Sequence, residues 1–303
     1  MKTYHDCLSC FVNQALGSLR RSAASQEQTD YVMRQVFRDL SGVDYSLPPP
    51  VIARSIFRRV CDATGVADPL SNEKKQYNRY AREILSALTR KKEQYSLEDR
   101  IRLAIAGNII DFGKNADLTQ SEVSSCFEKA LGCPIDSSAV RSLEKAVSSA
   151  GKILFLCDNA GEIVFDRFLL ECMPREKIVC AVRGKPVIND ATMEDARAIG
   201  LADHVKVISN GSDVPGTLLH ECSPEFKNAF RMADVVIAKG QGNFETLSEM
   251  KHKRIFFVLQ VKCPVISRDL GCPVGTFLIK DNGVECADDS LVETKKEKEI
   301  YHG

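Results

Sequence analysis

The 303-residue sequence has no tryptophan, no net charge and no apolar run near the ~20 residues a membrane-spanning helix needs. Lys plus Arg and Asp plus Glu each total 41, so no overall positive field draws the chain to nucleic acid or to an anionic membrane. The opening residues, Met1 to Asp6, lack the charged-then-apolar form of a secretion signal, and a cytoplasmic location is the expectation. Internal repeats and low-complexity tracts are absent. So are three catalytic fingerprints. No Gly-x-Gly-x-x-Gly follows the first strand-like run, no Gly-x-x-x-x-Gly-Lys-Ser/Thr loop is present, and no Gly-x-Ser-x-Gly elbow occurs. Dinucleotide binding, a nucleotide P-loop and a serine hydrolase are thereby unsupported.

What is present is ordinary globular material, 44% hydrophobic and 27% charged, long enough for two domains. The 12 cysteines are scattered through helical and strand patterns rather than packed into a small secreted framework. Cys157, Cys172 and Cys180 lie in apolar surroundings and read as small core residues. Cys7-Leu8-Ser9-Cys10 follows no strand, which argues against a redox pair. A zinc site would need further ligands, with His5, Cys263 or Cys272 as candidates, and thiols packed at a helix start are the favoured reading.

The first half reads as helices. Leu8, Phe11, Val12, Ala15, Leu16 and Leu19 form one continuous stripe. A second helix is predicted from Asp30 to Leu40, with Val32, Val36, Phe37 and Leu40 inward. Pro48-Pro49-Pro50 stops the chain before it and opens a helix from Val51 to Thr64. In the next, Asn72 to about Lys91, Tyr77, Tyr80, Ala81, Ile84, Leu85 and Leu88 face inward and the basic residues, Lys74 among them, make a solvated face. Leu97 to Ile110 ends in Ala106-Gly107-Asn108-Ile109-Ile110-Asp111, where an apolar helix breaks at polar residues. Two shorter helices, near Thr119–Ala130 and Ser137–Ser149, complete the half.

From Ile153 the pattern changes. Apolar runs recur at βαβ intervals: Ile153–Cys157, Ile178–Val182, Val205–Ile208, Val235–Ala238 and Ile255–Leu259, with Phe277–Ile279 a last edge. This alternation predicts an α/β fold with an open parallel sheet covered on both faces. The runs lead into segments rich in carboxylates, amides, lysines and glycines, and parallel strands bring such ends to one edge, where open α/β sheets bind ligands. Asp158, Asn159 and Asp190 offer only oxygen donors, a set suited to a hard divalent cation. Lys239, backed by Gly240 to Asn243, can neutralise charge on a phosphate. The plain alternatives are that Asp158 or Asn159 caps the next helix and that Lys239 is an exposed residue on a glycine turn.

The ordered set Ala106-Gly107-Asn108-Ile109-Ile110-Asp111, Asp158-Asn159-Ala160-Gly161-Glu162 with Asp166, Lys185-Pro186 leading to Asn189-Asp190-Ala191-Thr192, and Lys239-Gly240-Gln241-Gly242-Asn243-Phe244 resembles the domain-of-unknown-function-89 family of metal-dependent damage-control phosphatases. The N-terminal Cys7 and Cys10 resemble its short, stand-alone microbial branch. The resemblance implies a helical domain (1–150) joined to a Rossmann-like α/β/α domain (151–292), a charged tail (293–303) and a site in the cleft between the domains. It implies a metal (Mn, Co, Ni or Mg) on Asp158, Asn159 and Asp190, and small phosphorylated metabolites as substrates. Asp158, Lys239 and Asp111 are then the candidate catalytic residues, with Asn108, Lys239, Asn243 and Glu162 as candidate substrate contacts. Glu162, Asp111 and Asp166 are candidates for deprotonating the water. The lysine motif departs from the larger eukaryotic relatives at Gln241-Gly242, so their specificity does not carry over. A carboxyl methyltransferase and a non-catalytic binding module are the competing classes.

Overall fold

A computed structural model describes residues 1–91, 94–107 and 120–283, with backbone alone for 120–124. The first three helices, α1 (Cys7–Arg21), α2 (Gln26–Ser41) and α3 (Pro49–Thr64), pack on one another. Phe11, Ala15 and Leu19 of α1 meet Val32 and Val36 of α2 and Ile52, Ala53, Ile56 and Val60 of α3. Helix α2 starts on a reciprocal Ser25–Gln28 capping box, which satisfies two otherwise unpaired N–H groups. Helix α3 begins at Pro49, because proline lacks only an N–H that the first turn leaves unpaired in any case. Phe37 is not inward but 57% exposed. It sits about 100° around the helix from Val36, off the Val32–Val36 line that contacts α1 and α3.

Four further helices come next: α4 (Ser71–Lys91), α5 (Leu97–Ala106), α6 (Gln120–Leu131) and α7 (Ser137–Ser149). The sheet has six strands: β1 (Ile153–Leu156), β2 (Ile178–Val182), β3 (Lys206–Ser209), β4 (Val235–Lys239), β5 (Ile255–Gln260) and β6 (Phe277–Asp281). Their order is β3-β2-β1-β4-β5-β6, parallel except for the antiparallel edge strand β6. Between the strands run α8 (Glu162–Leu170), α9 (Met193–Ala198), α10 (Pro224–Met232) and α11 (Gly240–Leu247), with α12 (Pro264–Leu270) before β6.

Alternate strand residues feed two cores. Ile153, Phe155, Cys157, Cys180, Val182, Ile237 and Val258 share a cluster with α4 to α8, whereas Leu154, Leu156, Ala181, Val236, Ala238, Phe257 and Leu259 pack under α10, α11 and α12. The wound α/β/α reading therefore holds, with the first half of the chain helical. Helices α5 and α7 share the first cluster with the strands and contact β5 and β6, so they lie on the sheet itself, while α6 packs on α4 and α5. Cys157 and Cys180 are buried as expected, but Cys172 is exposed beyond the end of α8. The seven-residue α12 has no counterpart among the expected helices, because so short a segment shows little periodicity. No described helix is long and apolar enough to cross a membrane.

One lysine departs instructively from the expected solvated face. Lys74, Tyr77, Asn78 and Ala81 fall at i, i+3, i+4 and i+7 and form the buried stripe of α4. Lys74 Nζ lies 2.7 Å from Asp68 and 3.8 Å from Asp195. Removing the cation strands two carboxylates in a largely dry seam. Lys74→Ala is expected to lower unfolding free energy by about 3 kcal/mol in chemical denaturation, where a solvated lysine would cost well under 1.

Candidate active site at the ends of β1 and β4

Strand succession reverses between β1 and β4: the chain moves outward through β2 and β3, then returns to the other side of β1. Wound sheets open a crevice at such a switch point, beyond the carboxyl ends of the strands. Past β1 the chain reads Cys157-Asp158-Asn159-Ala160-Gly161 and enters α8. The N-cap of α8 is Gly161, at φ +80°, and it makes no side-chain cap hydrogen bond. Asp158 and Asn159 are therefore not caps. The turn is gripped from the helical side, where Asn78 Oδ1 accepts from Gly161 N at 2.7 Å and Asn78 Nδ2 donates to Asp195 at 2.9 Å.

The loop after β2 brings Asp190, the third candidate ligand. Ala191 N donates to Asp158 O at 2.8 Å and Ala160 N to Asn189 O at 2.9 Å, so Asn159 and Asp190 pair as an isolated antiparallel bridge. Arg183, just beyond β2, closes the same loop through its N–H to Ala191 O. Within this loop Ile188 has φ +46°, a strained setting for a β-branched residue. Its side chain is held in the apolar contact with Phe57, Leu70 and Val187 that ties the loop to the first helices.

From the other side of the crevice, β4 delivers Lys239 and the turn after it. Gly240 has φ +75°, and a Cβ there would stand 1.9 Å from Asp158 Oδ2. Only glycine lets the Asp158 carboxylate lie against this backbone. Lys239 is wholly buried and donates to Glu162 Oε1 and Asp166 Oδ1, each at 2.6 Å, and to Ala104 O at 3.0 Å. Its three ammonium hydrogens are thus matched by three acceptors. Asn243 donates to Lys239 O at 2.8 Å and to Cys157 O at 3.4 Å, and accepts from Thr217 and Arg183. It staples the ends of β1 and β4 together.

The expected residues Asp158, Asn159, Asp190, Lys239, Glu162, Asp166 and Asn243 therefore converge on one crevice. Asn108 and Asp111 lie outside the described residues. Sequence reasoning missed Arg183, Asn78, Asp195 and Thr217. For Arg183 a signal existed, since a cation directly followed a buried strand; for Asn78 the signal was its place in the α4 stripe.

Charge is the dominant feature. Asp158, Glu162, Asp166 and Asp190 are all buried, against the buried cations Lys239 and Arg183. Fully ionised, the group carries two surplus negative charges. Burial raises the Asp158 pKa well above the carboxylate range, and repulsion from Glu162 and Asp190 adds to it, against Arg183. Asp190 is raised by burial, with Arg183 opposing. Burial lifts Asp166 to about 7 despite the Lys239 ammonium beside it. Burial alone would lower Lys239, but Asp166 and Glu162 outweigh it and hold its pKa above the usual lysine value.

A divalent cation fits this group. Its charge equals the surplus and its donors would all be oxygen. Among the described residues no three His, Cys, Asp or Glu side chains form a metal cluster by themselves, so the set depends on the Asn159 amide as third donor. Cys7 and Cys10 are free thiols at the start of α1, the first half-buried and the second exposed.

The raised carboxylates give a signed pH dependence. A carboxyl whose folded pKa exceeds its unfolded value stabilises the fold at low pH and loses that contribution as pH rises. For Asp166 the window runs from 3.8 to about 7. The metal-free protein should melt at progressively lower temperature across this window. Asp166→Asn, which can still accept from Lys239, should flatten the slope; an unchanged slope would contradict the assignment.

Residues 3–278 match the damage-control phosphatase ARMT1-like domain model. A Pyrococcus horikoshii protein named damage-control phosphatase PH1575 is 36% identical over 288 residues, covering 93% of this chain and 99% of that one. The uncharacterised protein MJ0202 of Methanocaldococcus jannaschii is 33% identical over 289 residues, covering 91% and 94%. An Archaeoglobus fulgidus protein named damage-control phosphatase is 35% identical over 239 residues, covering 76% and 81%. The crystal structure of the Pyrococcus horikoshii DUF89 family protein superposes with a TM-score of 0.85 at 34% identity, covering 93% of this chain and 99% of that one. The motif resemblance and the wound sheet with its helical lead thus converge: the chain belongs to the ARMT1-like, or DUF89, family of damage-control phosphatases.

Proposed function

We propose that this chain is a metal-dependent phosphatase acting on small phosphorylated metabolites, sugar phosphates or related phosphoesters. Relatives named damage-control phosphatases support the general activity. The observation that carries the metal reading is the surplus of buried carboxylate at the β1–β4 crevice. Asp158, Asn159 and Asp190 would hold the cation, with Mn, Co, Ni and Mg as candidates. Bound there, it would polarise a phosphoryl oxygen and lower the pKa of an attacking water.

The chain's own groups order this chemistry. Asn159 Nδ2 donates to Asp158 Oδ2 at 2.8 Å and to Glu162 Oε2 at 3.3 Å. Reversing the amide would set its oxygen against two carboxylates, so the amide nitrogen is fixed toward them and Oδ1 toward the opposite side. Lys239 in turn fixes Glu162. A relay Lys239–Glu162–Asn159–Asp158 thus sets the ligand orientation from inside the protein. Glu162 is the better placed proton acceptor of the described pair, because its Oε2 reaches Asn159 of the candidate ligand set, whereas the bond of Asp166 runs back to Lys239. Lys239 contributes its positive charge through Glu162 while its hydrogens remain engaged.

The test is phosphate release from a panel of phosphomonoesters, with and without Mn²⁺, Co²⁺ or Mg²⁺. Wild type should be active only with metal, and Asp158→Ala should lose at least about 10²-fold, as expected when charge stabilisation at the reacting centre is removed. Full activity in Asp158→Ala would remove this residue from the metal set. A folded, metal-loaded wild type that releases no phosphate would favour a binding module instead.

A further inference from the structure

We infer that Arg183 is the residue that grips the phosphoryl group, through a guanidinium nitrogen, Nη2, that has no hydrogen-bond partner among the described residues. The inference rests on the phosphatase reading above and names a substrate contact within it.

Arg183 is 2% exposed. Its Nε donates to Asp190 Oδ2 at 2.6 Å and its Nη1 to Asn243 Oδ1 at 3.3 Å. Its Nη2 is buried and has no hydrogen-bond partner among the described residues. The nearest carboxylate oxygen, Asp158 Oδ1, is 3.8 Å from Nη2, close enough for charge attraction but beyond hydrogen-bond reach. A buried N–H of a charged group without an acceptor is costly, and native structures leave few of them unexplained. Here the gap lies between the two carboxylates assigned to the cation.

Lys239 is the obvious rival, and the geometry weighs against it. Its ammonium already has three acceptors, so turning it toward a phosphate would break buried charged hydrogen bonds. Arg183 would break nothing. Its planar fork suits the oxygens of a phosphoryl group, and its other two nitrogens are held by Asp190 and Asn243, so Nη2 is aimed in advance. The fold supplies that aim through the backbone as well, since Arg183 N is bonded to Ala191 O and Gly184 N to Asn210 Oδ1. A Cβ on Gly184 would stand 2.4 Å from the Gly211 carbonyl carbon, so the chain beside Arg183 has no room to shift. In this arrangement Nη2 donates to a non-bridging oxygen of the phosphate while the same guanidinium keeps Asp190 in place.

Two calorimetric titrations and one kinetic measurement separate this role from a purely structural one. Mn²⁺ is titrated into metal-free wild type and Arg183→Gln, inorganic phosphate is titrated into the Mn²⁺-saturated proteins, and phosphomonoester turnover is followed on both. Arg183→Gln should bind Mn²⁺ at least as tightly as wild type, because a competing cation beside the carboxylates is gone. It should bind phosphate at least about tenfold more weakly and lose about 10²–10³-fold in kcat, the usual effect of deleting one donor to developing charge. Arg183→Lys keeps the charge without the fork; it should also lose phosphate affinity, and it carries the test if the glutamine variant does not fold. Unchanged phosphate affinity together with weakened Mn²⁺ binding would overturn the inference and leave Arg183 as a support for Asp190. Failure of wild type to bind Mn²⁺ or release phosphate would instead strike the phosphatase reading.

Discussion

Four carboxylates buried around the end of β1, with Lys239 and Arg183 as the buried cations beside them, are the constraint on which the rest of the molecule depends. Uncompensated charge in a dry interior is expensive, so burial raises the pKa values of Asp158, Asp166 and Asp190, and a bound cation would take the place of the protons they retain. The two cations are not equivalent. Lys239 faces inward, where it neutralises Glu162 and Asp166 and has no acceptor left to seek. Arg183 stands among the outer carboxylates with its Nη2 unmatched among the described residues. The inner trio therefore sets geometry, while the outer group is where a cation and a phosphate would find complementary charge.

Holding like charges together requires a rigid frame, and the frame is mostly backbone. The bonds from Ala191 to Asp158 and from Ala160 to Asn189 lock the two ligand-bearing loops. Gly240 allows the Asp158 carboxylate to approach β4 where any side chain would collide. The helical half contributes more than cover. Asn78 bonds the Gly161 N–H and Asp195, Lys74 compensates Asp195, and Arg58 makes a bidentate pair with Asp213 in the loop after β3. Each contact reaches from α3 or α4 to a loop or to the first turn of α9 at the same sheet edge, so the first helices fix the positions of the strand ends.

Much of this is legible in the sequence because buried parallel strands are written as apolar runs. Ile178–Val182 coincides with β2 in full, and the segments just beyond the apolar runs contain Asp158, Asn159, Asp190 and Lys239. Glu162 and Asp166 are legible only as acidic residues one helical turn apart. That they close on Lys239 depends on the β1–β4 adjacency, which no local pattern encodes. Lys74 and Asn78 escape sequence reasoning for the same reason: a polar residue in a helical stripe looks solvated until its partner, here Asp195 more than a hundred residues away, is in place. Phe37 shows the reverse error, an apolar residue beside the stripe rather than on it. Asp158 and Asn159, whose residue types suit caps, are released from that role by Gly161.

The central claim is that the surplus charge at the β1–β4 crevice is a divalent-cation site. Crystals prepared with Mn²⁺ and measured near the manganese absorption edge test it most directly. The account predicts an anomalous peak within coordination distance of Asp158, Asn159 and Asp190. A peak elsewhere, with Asn159 still bonded to Asp158 and Asp190 still bonded to Arg183, would contradict it.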